Sequence, residues 1–304
     1  MTMADLRPPL SVVIGSTQPW PEIRGCLDSL YAQACEVGAE IIVADGTGRC
    51  LPDGDLLYPR VRRLKAVGQT VYQLRALAMA ESSSEIVAAL EDHCRVAPDW
   101  CAQVLRAHRE FPGAAVIGGA VENGATDRLL DWAMFLITNG SFLLPIPIGE
   151  RDNVSSTCIS YKRRVLPSEY PAIGMVEAHY KETLRARGEK FFNDDAIVVE
   201  HVQSLGFVGS CLIHYHDGRC AAGFNLPRIS YGARLLRILK GLALPLRVLF
   251  WTARLTLRIA VRKPRHRRRA VVAAPLVALL YCFHLAGELA GTIAGPGRSP
   301  SRLR

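Results

Sequence analysis

The chain has no Cys-x-x-Cys pair among its nine cysteines. An odd, scattered set of thiols excludes a structural zinc ribbon and argues against a disulfide framework; it suits a reducing compartment in which most are small core hydrophobes. No Gly-x-Gly-x-x-Gly turn follows a strand and no Walker A lysine loop occurs, so the two common phosphate-cradling fingerprints are missing. Aromatic residues make up only 7% and do not interleave with the basic clusters as single-stranded nucleic-acid binding needs. Residues 1–9 lack the apolar run of a signal peptide, and the expectation is a first domain on the cytoplasmic side. Internal repeats are absent, and so is low complexity outside the basic tail.

What is present is apolar and basic. Hydrophobic residues reach 49%, and 304 residues are enough for one large domain plus an appendage. The net charge of +9 is concentrated late in the chain, notably in the run at 262–269, while the first two hundred residues are closer to balance. A basic cluster beside apolar segments points to anionic lipid before nucleic acid.

The central stretch is 85–100. Its apolar run at 86–90 fits a strand buried on both faces, and it stops at Glu91, Asp92 and His93. Pro98 then opens a helix with Asp99 and Trp100 in its first turn, running to residue 111. Earlier, residues 10–15 read as a first strand ending at Ser16 and Thr17. Pro21 opens a helix through Leu30, and residues 40–44 form a second strand ending at Asp45 and Gly46. Residues 47–59 read as loop and 69–80 as helix. Short apolar strands alternating with helices imply right-handed βαβ units and a mostly parallel sheet. Two strands then deliver Asp45 and Glu91 to one carboxyl edge, where open α/β sheets bind ligands. The plain alternative is a pair of solvated acids at strand-to-helix corners.

Further on, residues 114–121 are strand-like, with the pair Gly118-Gly119 marking a close approach of backbone or ligand. A helix over 127–137, a Pro/Gly-rich linker to Gly149 and a strand over 157–161 follow. The helix over 177–187 stops at Gly188. Asp194 and Asp195 read as a solvated turn, residues 196–199 as a strand reaching His201, and 212–213 as a strand reaching a loop with His214, His216 and Arg219. A histidine at a strand end is usually structural. Arg219 has the better claim to a phosphate, because a guanidinium forks onto its oxygens.

From residue 226 the composition changes. Residues 241–261 are apolar but carry Arg247, Arg254 and Arg258 on one face, the pattern of a helix lying in a bilayer interface. Residues 270–294 exceed the about 20 residues needed to span, yet contain His284 and Glu288. The basic loop between these segments favours a monotopic or re-entrant hairpin, with a single crossing as second choice. An ordinary helical pair packed on a soluble domain is the remaining possibility.

Taken in order, these stretches resemble the family 2 glycosyltransferases over about residues 8–220. The resemblance rests on the first strand, the segment ending Asp45-Gly46, the helix bearing Arg75, the Glu91-Asp92-His93 and Pro98-Asp99-Trp100 stretches, and the later helix from Glu177 to Gly188. It implies a GT-A (Rossmann-like) α/β fold, a mostly parallel sheet flanked by helices, to which the composition after residue 226 adds a C-terminal membrane-associated helical hairpin. The implied organisation is a transferase domain over 8–222, membrane-associated helices over 223–296 and a disordered basic tail over 297–304. By the resemblance Asp45 contacts the nucleobase, and Ser16, Arg75, Glu91 and Arg219 serve the nucleotide-diphosphate sugar donor. Asp92 and His93 hold a divalent metal, Mn²⁺ or Mg²⁺, and Glu177 is the base toward the acceptor, with Asp92 beside it in catalysis. His93 stands where the family has an acid, and an imidazole favours manganese or another transition metal over magnesium. Ala178 stands where the family pairs a second acid with the base. The membrane-associated segment, which would hold the site near the bilayer, suggests a lipid-linked or polysaccharide acceptor for the cell envelope, and the basic, apolar C-terminal region suggests an anionic membrane surface at the cytoplasmic face as partner, with no nucleic acid. An inactive scaffold with the same fold accommodates both departures. A nucleotidyltransferase is disfavoured because residues 16–20 offer no Gly-rich basic loop.

Overall fold

The computed structural model describes residues 7–51 and 57–303. Most of the N-terminal stretch read for a signal peptide, and the middle of the loop at 47–59, lie outside the described residues. The chain forms two compact units, one of Met1–Gly124 with Phe142–Val202 and the other of Ala125–Ser141 with Gln203–Arg304. The division falls at 202/203, so the segment at 203–222, assigned from sequence to the transferase domain, belongs to the second unit.

In the first unit β1 (Ser11–Ser16) is buried along its whole length, followed by α1 (Arg24–Val37) and β2 (Glu40–Asp45). Helix α1 begins three residues past Pro21, runs beyond Leu30 and stops at Gly38, whose positive φ of 71° accepts the chain reversal. Then come β3 (Val61–Lys65), α2 (Val71–Ala80), β4 (Ile86–Glu91), β5 (Cys94–Val96) and α3 (Trp100–Glu110). Thr70 and Gln73 close a capping box on α2, each satisfying a backbone N–H of the other. The remaining elements are β6 (Ala114–Asn123), then, after a segment of the second unit that carries α4 (Leu129–Thr138), β7 (Gly149–Glu150), β8 (Ile159–Lys162), α5 (Glu177–Ala186) and β9 (Lys190–His201).

The fold class is the α/β arrangement expected, a central sheet flanked by helices. Its path is β3-β2-β1-β4-β8-β6-β9-β5, with β7 pairing β9. The run β3-β2-β1-β4 is parallel, β8 enters antiparallel between β4 and β6, and β6 pairs β9 in parallel. Val13, Ile42, Val87 and Ala89 of the parallel strands pack with Leu74 and Met79 of α2 in the core. This layer explains why β1, β2 and β4 read as unbroken apolar runs: both faces are covered. Strands β3 and β5 escape a reading by apolar runs, since β3 is an edge strand with Arg62, Arg63 and Lys65 and β5 is three residues long.

Asp194 and Asp195 do not form a solvated turn. They sit where β9 bulges between Asn193 and Val198, and Asp194 is buried against Arg106 Nη2 at 2.7 Å. The glycine pair of β6 faces that bulge. A Cβ on Gly119 would stand 2.1 Å from Ile197 O and 2.7 Å from Cys158 Sγ, so the neighbour is backbone rather than ligand.

In the second unit α4 is joined by α6 (Phe207–Gly223), α7 (Tyr231–Leu242), α8 (Leu244–Arg262) and α9 (Arg267–Ala294). Residues 212–219 are therefore helix, not strand and loop, and α6 packs on α9 with His214 and Gly218 buried. Small residues allow it, since a Cβ on Gly218 would lie 2.0 Å from His284 O and one on Gly287 would lie 2.0 Å from Tyr215 O. The tail is not disordered through its described length. Ser299–Arg302 forms a 3-10 turn whose Ser299 Oγ lies 2.9 Å from His216 Nδ1 of α6. The stretch Pro264–Ala294 is long and apolar enough to cross a membrane, with 33% of its apolar window buried inside the protein.

Gly119→Ala should destabilise the first unit by about 1–3 kcal/mol, the usual cost of overpacking, read as a lower urea midpoint. Gly113→Ala, where a Cβ meets nothing within 4 Å, should leave the midpoint within experimental scatter. Equal midpoints for both variants would mean that the β6–β9 bulge is looser than described.

Candidate active site

The parallel register sets Ser16 of β1 beside Asp45 of β2, and Gly15 beside Glu91 of β4. All three strand ends thus lie on one edge, where α/β sheets receive ligands. The residues there divide into those that shape the edge and those that remain available.

Asp45 shapes it. Its carboxylate is fully buried and accepts from Thr47 N and Oγ1, Gly48 N, Cys50 N, and Arg63 Nε at 2.9 Å and Nη2 at 2.6 Å. These donors saturate both oxygens and tie the turn after β2 to β3. Asp45, expected from sequence to contact a nucleobase, is thus held by donors of the chain itself. Burial pushes this carboxyl upward, but the Arg63 guanidinium and the amide and hydroxyl donors overcome it and hold the pKa below the ordinary value.

Ser16 and Asp92 also turn inward. Ser16 is fully buried, and its hydroxyl donates to Asp92 Oδ2 at 2.8 Å, so it is not placed to touch a donor itself. Asp92 Oδ1 lies 2.9 Å from His93 Nδ1. Asp92, expected from sequence to share a metal with His93, thus lies between the Ser16 hydroxyl and the His93 imidazole.

Donor atoms of Glu91, His93 and His201 all lie within 4.8 Å of one another. Their positions follow from the backbone. β5 pairs β9 antiparallel with Cys94 opposite His201, and Val202 N donates to His93 O at 2.9 Å. The two imidazoles meet edge to face with ring centroids 4.6 Å apart. Burial pushes the Glu91 carboxyl upward, yet the His201 hydrogen bond and the charges of His93, His201 and Arg75 bring it down to about 2. Burial lowers His93, and Asp92 with Glu91 outweigh it to give a net rise; for His201 burial prevails and the net direction is down. The sequence reading left His201 out of the ligand set. Its signal was available: a strand ending in histidine beside the strand that follows His93.

Next to this cluster stands a buried ion pair. Arg75 of α2 places Nη1 2.7 Å from Glu177 Oε2 and Nη2 3.9 Å from Glu91 Oε1. Glu177, in the first turn of α5, is 6% exposed, and its Oε1 has no hydrogen-bond partner among the described residues. Burial raises its pKa, and the cations of Arg75 and Lys181 only partly oppose this. Lys181, one turn further, is buried and donates to Val154 O at 2.8 Å and Ser156 Oγ at 2.9 Å. Lys181 also escaped the sequence reading, because a lysine on a helix pattern reads as solvated. Arg75, Glu91, His93 and Glu177 are thus brought together as expected.

Arg219 is not among them. It lies on α6 in the second unit, where its Nε donates to Gly295 O at 3.1 Å, and a helical carbonyl takes the place of the expected phosphate. His214 and His216 share that helix.

No family model matches the chain, and no curated protein matches it. Among solved structures, that of S. aureus TarS, residues 1–349, is similar, with a TM-score of 0.45 and 14% sequence identity over 70% of this chain and 64% of that one. The chain therefore spans less than two thirds of that structure, and no residue role passes from one to the other.

Because Asp45 has a depressed pKa in the folded state, its contribution is complete above the ordinary carboxylate pKa of 3.8 and is lost as pH falls through the folded value. Asp45→Asn leaves Arg63 without its buried partner and should lower stability at neutral pH by about 3–5 kcal/mol. In urea titrations the variant should also lose less stability than the wild type between about pH 4 and pH 2. Parallel acid profiles would remove Asp45 from this role.

Proposed function

We propose that the first unit is a glycosyltransferase that moves a sugar from a nucleoside diphosphate donor to a lipid-linked or polysaccharide acceptor of the cell envelope, working at the cytoplasmic face of the membrane. The observation that carries the reading is the side-chain line Glu177–Arg75–Glu91 at the carboxyl edge of the parallel strands, ending in two imidazoles. The resemblance of the sequence to family 2 glycosyltransferases supports the same reading.

In this mechanism the acceptor hydroxyl attacks the anomeric carbon in line with the bond to the diphosphate oxygen. The new C–O bond forms as that bond breaks, the hydroxyl proton passes to Glu177, and the nucleoside diphosphate leaves with the electron pair. Inversion at the anomeric carbon follows from a single displacement. Glu177 suits the proton because burial raises its pKa toward the working range of a general base, and Oε1 is the oxygen left free by Arg75. Arg75 holds the carboxylate in place and keeps its charge tolerable in a buried position. Glu91, His93 and His201 would be the residues to hold a divalent cation, whose chemistry there would be counter-charge for the diphosphate.

The membrane part of the proposal draws on the second unit. Leu246, Leu249, Phe250 and Leu257 of α8 are exposed, and Arg254 and Arg258 of the same helix are exposed with them. A helix of this composition lies in a headgroup layer with its apolar side chains inserted. A second reading, an inactive domain serving as a membrane-bound scaffold, draws on the burial of Glu177 and the saturation of Asp45.

A screen of nucleoside diphosphate sugars for hydrolysis or transfer separates the two readings. Glu177→Gln should lower kcat by about 100-fold or more, the range for a lost general base, with the donor KM changed less than about twofold. No turnover by the wild-type chain with any donor, or a loss confined to KM, would overturn the assignment. Separately, Leu249→Glu combined with Phe250→Glu should abolish co-sedimentation with anionic vesicles; unchanged co-sedimentation would remove α8 from the membrane contact.

A further inference from the structure

We propose that the cavity between α6, α7, α8 and α9 binds the terminal phosphate of a lipid phosphomonoester, held by Arg237 and Lys240 of α7 and Arg247 of α8. The assignment rests on the membrane contact proposed for α8 and adds to it a defined site with a chemical preference of its own.

The cavity measures about 310 Å³ and lies wholly within the second unit. That is the small end of the range for ligand sites, about 300–1,000 Å³, and suits one headgroup rather than a whole lipid. Its walls are fixed by close approaches. Arg234 donates from Nε to Thr292 O at 3.0 Å and from Nη2 to Ile293 O at 2.6 Å, which docks α7 on the end of α9. Further along α7, a Cβ on Gly241 would lie 2.6 Å from Leu289 Cδ1, so the end of the helix comes equally near. Arg237 and Lys240 follow Arg234 at helical spacing and stand at the edge of this docked face.

The charges in the cavity are unbalanced. Arg237, Lys240 and Arg247 line it, and Glu288 is the one acid among its described residues. That carboxylate is already engaged: Oε2 meets Arg247 Nη2 at 2.6 Å, and Oε1 lies 3.5 Å from His284 Nε2. Arg237 and Lys240 are exposed and have no hydrogen-bond or ion-pair partner for their side chains among the described residues. Two uncommitted cations at one cavity match a phosphate monoester, which carries about −1.5 to −2 charges at neutral pH, better than a singly charged phosphodiester. The other side of α7 indicates where the ligand comes from. Leu235, Leu236 and Leu239 are exposed there, and Leu236 is one turn from Lys240. Basic groups at a cavity beside an exposed apolar helix face are what a lipid headgroup requires, with its acyl chains passing along the leucines. A soluble phosphate has no use for that face.

The test uses the full chain and co-sedimentation with two kinds of phosphatidylcholine vesicle brought to the same zeta potential, one by phosphatidic acid and one by phosphatidylglycerol. The expected result is about tenfold tighter binding to the phosphatidic acid vesicles, since equal surface potential cancels the diffuse attraction. Arg237→Gln combined with Lys240→Gln should abolish the difference. Both side chains are exposed, so the fold should survive, and circular dichroism verifies it. Arg254→Gln combined with Arg258→Gln removes the same charge from α8 and should weaken both kinds of binding equally, with the preference kept. Glycerophosphate, which has the phosphate and no acyl chains, should release no more protein from phosphatidic acid vesicles than chloride does at equal ionic strength. Release by glycerophosphate would make the ligand a soluble phosphate and overturn the inference. So would a preference that survives in the α7 variant or disappears in the α8 variant. Equal wild-type binding to both vesicles sinks this site and leaves the membrane contact, while no binding to either removes both. A preference for phosphatidic acid in a chain without transfer activity leaves the site standing and sinks the function.

Discussion

Everything at the carboxyl edge depends on how closely α2 approaches its neighbours. A Cβ on Gly15 would lie 3.1 Å from Leu74 Cβ and 3.3 Å from Arg75 N, so the end of β1 must be almost bare for α2 to settle there. On the other side Gly174, with φ of +89°, has its missing Cβ 2.2 Å from Tyr72 O, and Met175 N donates to that carbonyl at 2.8 Å. α2 is thus held between β1 and the segment that leads into α5. That is what puts Arg75 between Glu91, which ends β4, and Glu177, which begins α5. A side chain at either glycine would push the helix away and open the ion pair, so two residues without chemistry of their own decide whether the charged ones meet.

The charges brought together in this way are not arranged for stability. Arg75 and Glu177 are both buried, and burying an ion pair costs several kcal/mol per ion before attraction offsets it. Nor is the polar inventory complete: Arg75 Nε, Glu177 Oε1 and Tyr161 Oη find no hydrogen-bond partner among the described residues. Asp45 makes the contrast. It is equally buried, yet every lone pair is used, and its task is to hold a turn. The two buried carboxylates of this edge thus differ: Asp45 is saturated by donors of its own turn and strand, while Glu177 is held chiefly by Arg75.

These differences explain which parts were legible from sequence. Strands buried on both faces announce themselves as apolar runs, so β1, β2 and β4 and the acids that end them could be read directly, and so could the edge they share. β3 and β5 were hidden because an edge strand may be charged and a three-residue strand has no period. His201 and Lys181 were hidden for another reason: their importance lies in cross-strand pairing and burial, which a linear pattern of residue types does not carry. Asp45 and Asp92 show the opposite case. Their positions were right, but position alone does not say whether a carboxylate faces a ligand or its own backbone; that depends on donors such as Arg63 and Ser16, which come from other strands.

The second unit shows the same limit on a larger scale. His284 and Glu288 interrupt an otherwise apolar helix and, taken alone, argue against a simple span. In the folded unit Glu288 Oε2 meets Arg247 of α8 at 2.6 Å, and His284 Nδ1 lies 3.4 Å from Asp217 of α6. His284 and Glu288 thus each have a counterpart on a neighbouring helix, and glycines at 218 and 287 let α6 lie close enough for the pairing. The polar side of α9 is therefore satisfied by protein, while α8 keeps its apolar side chains outward.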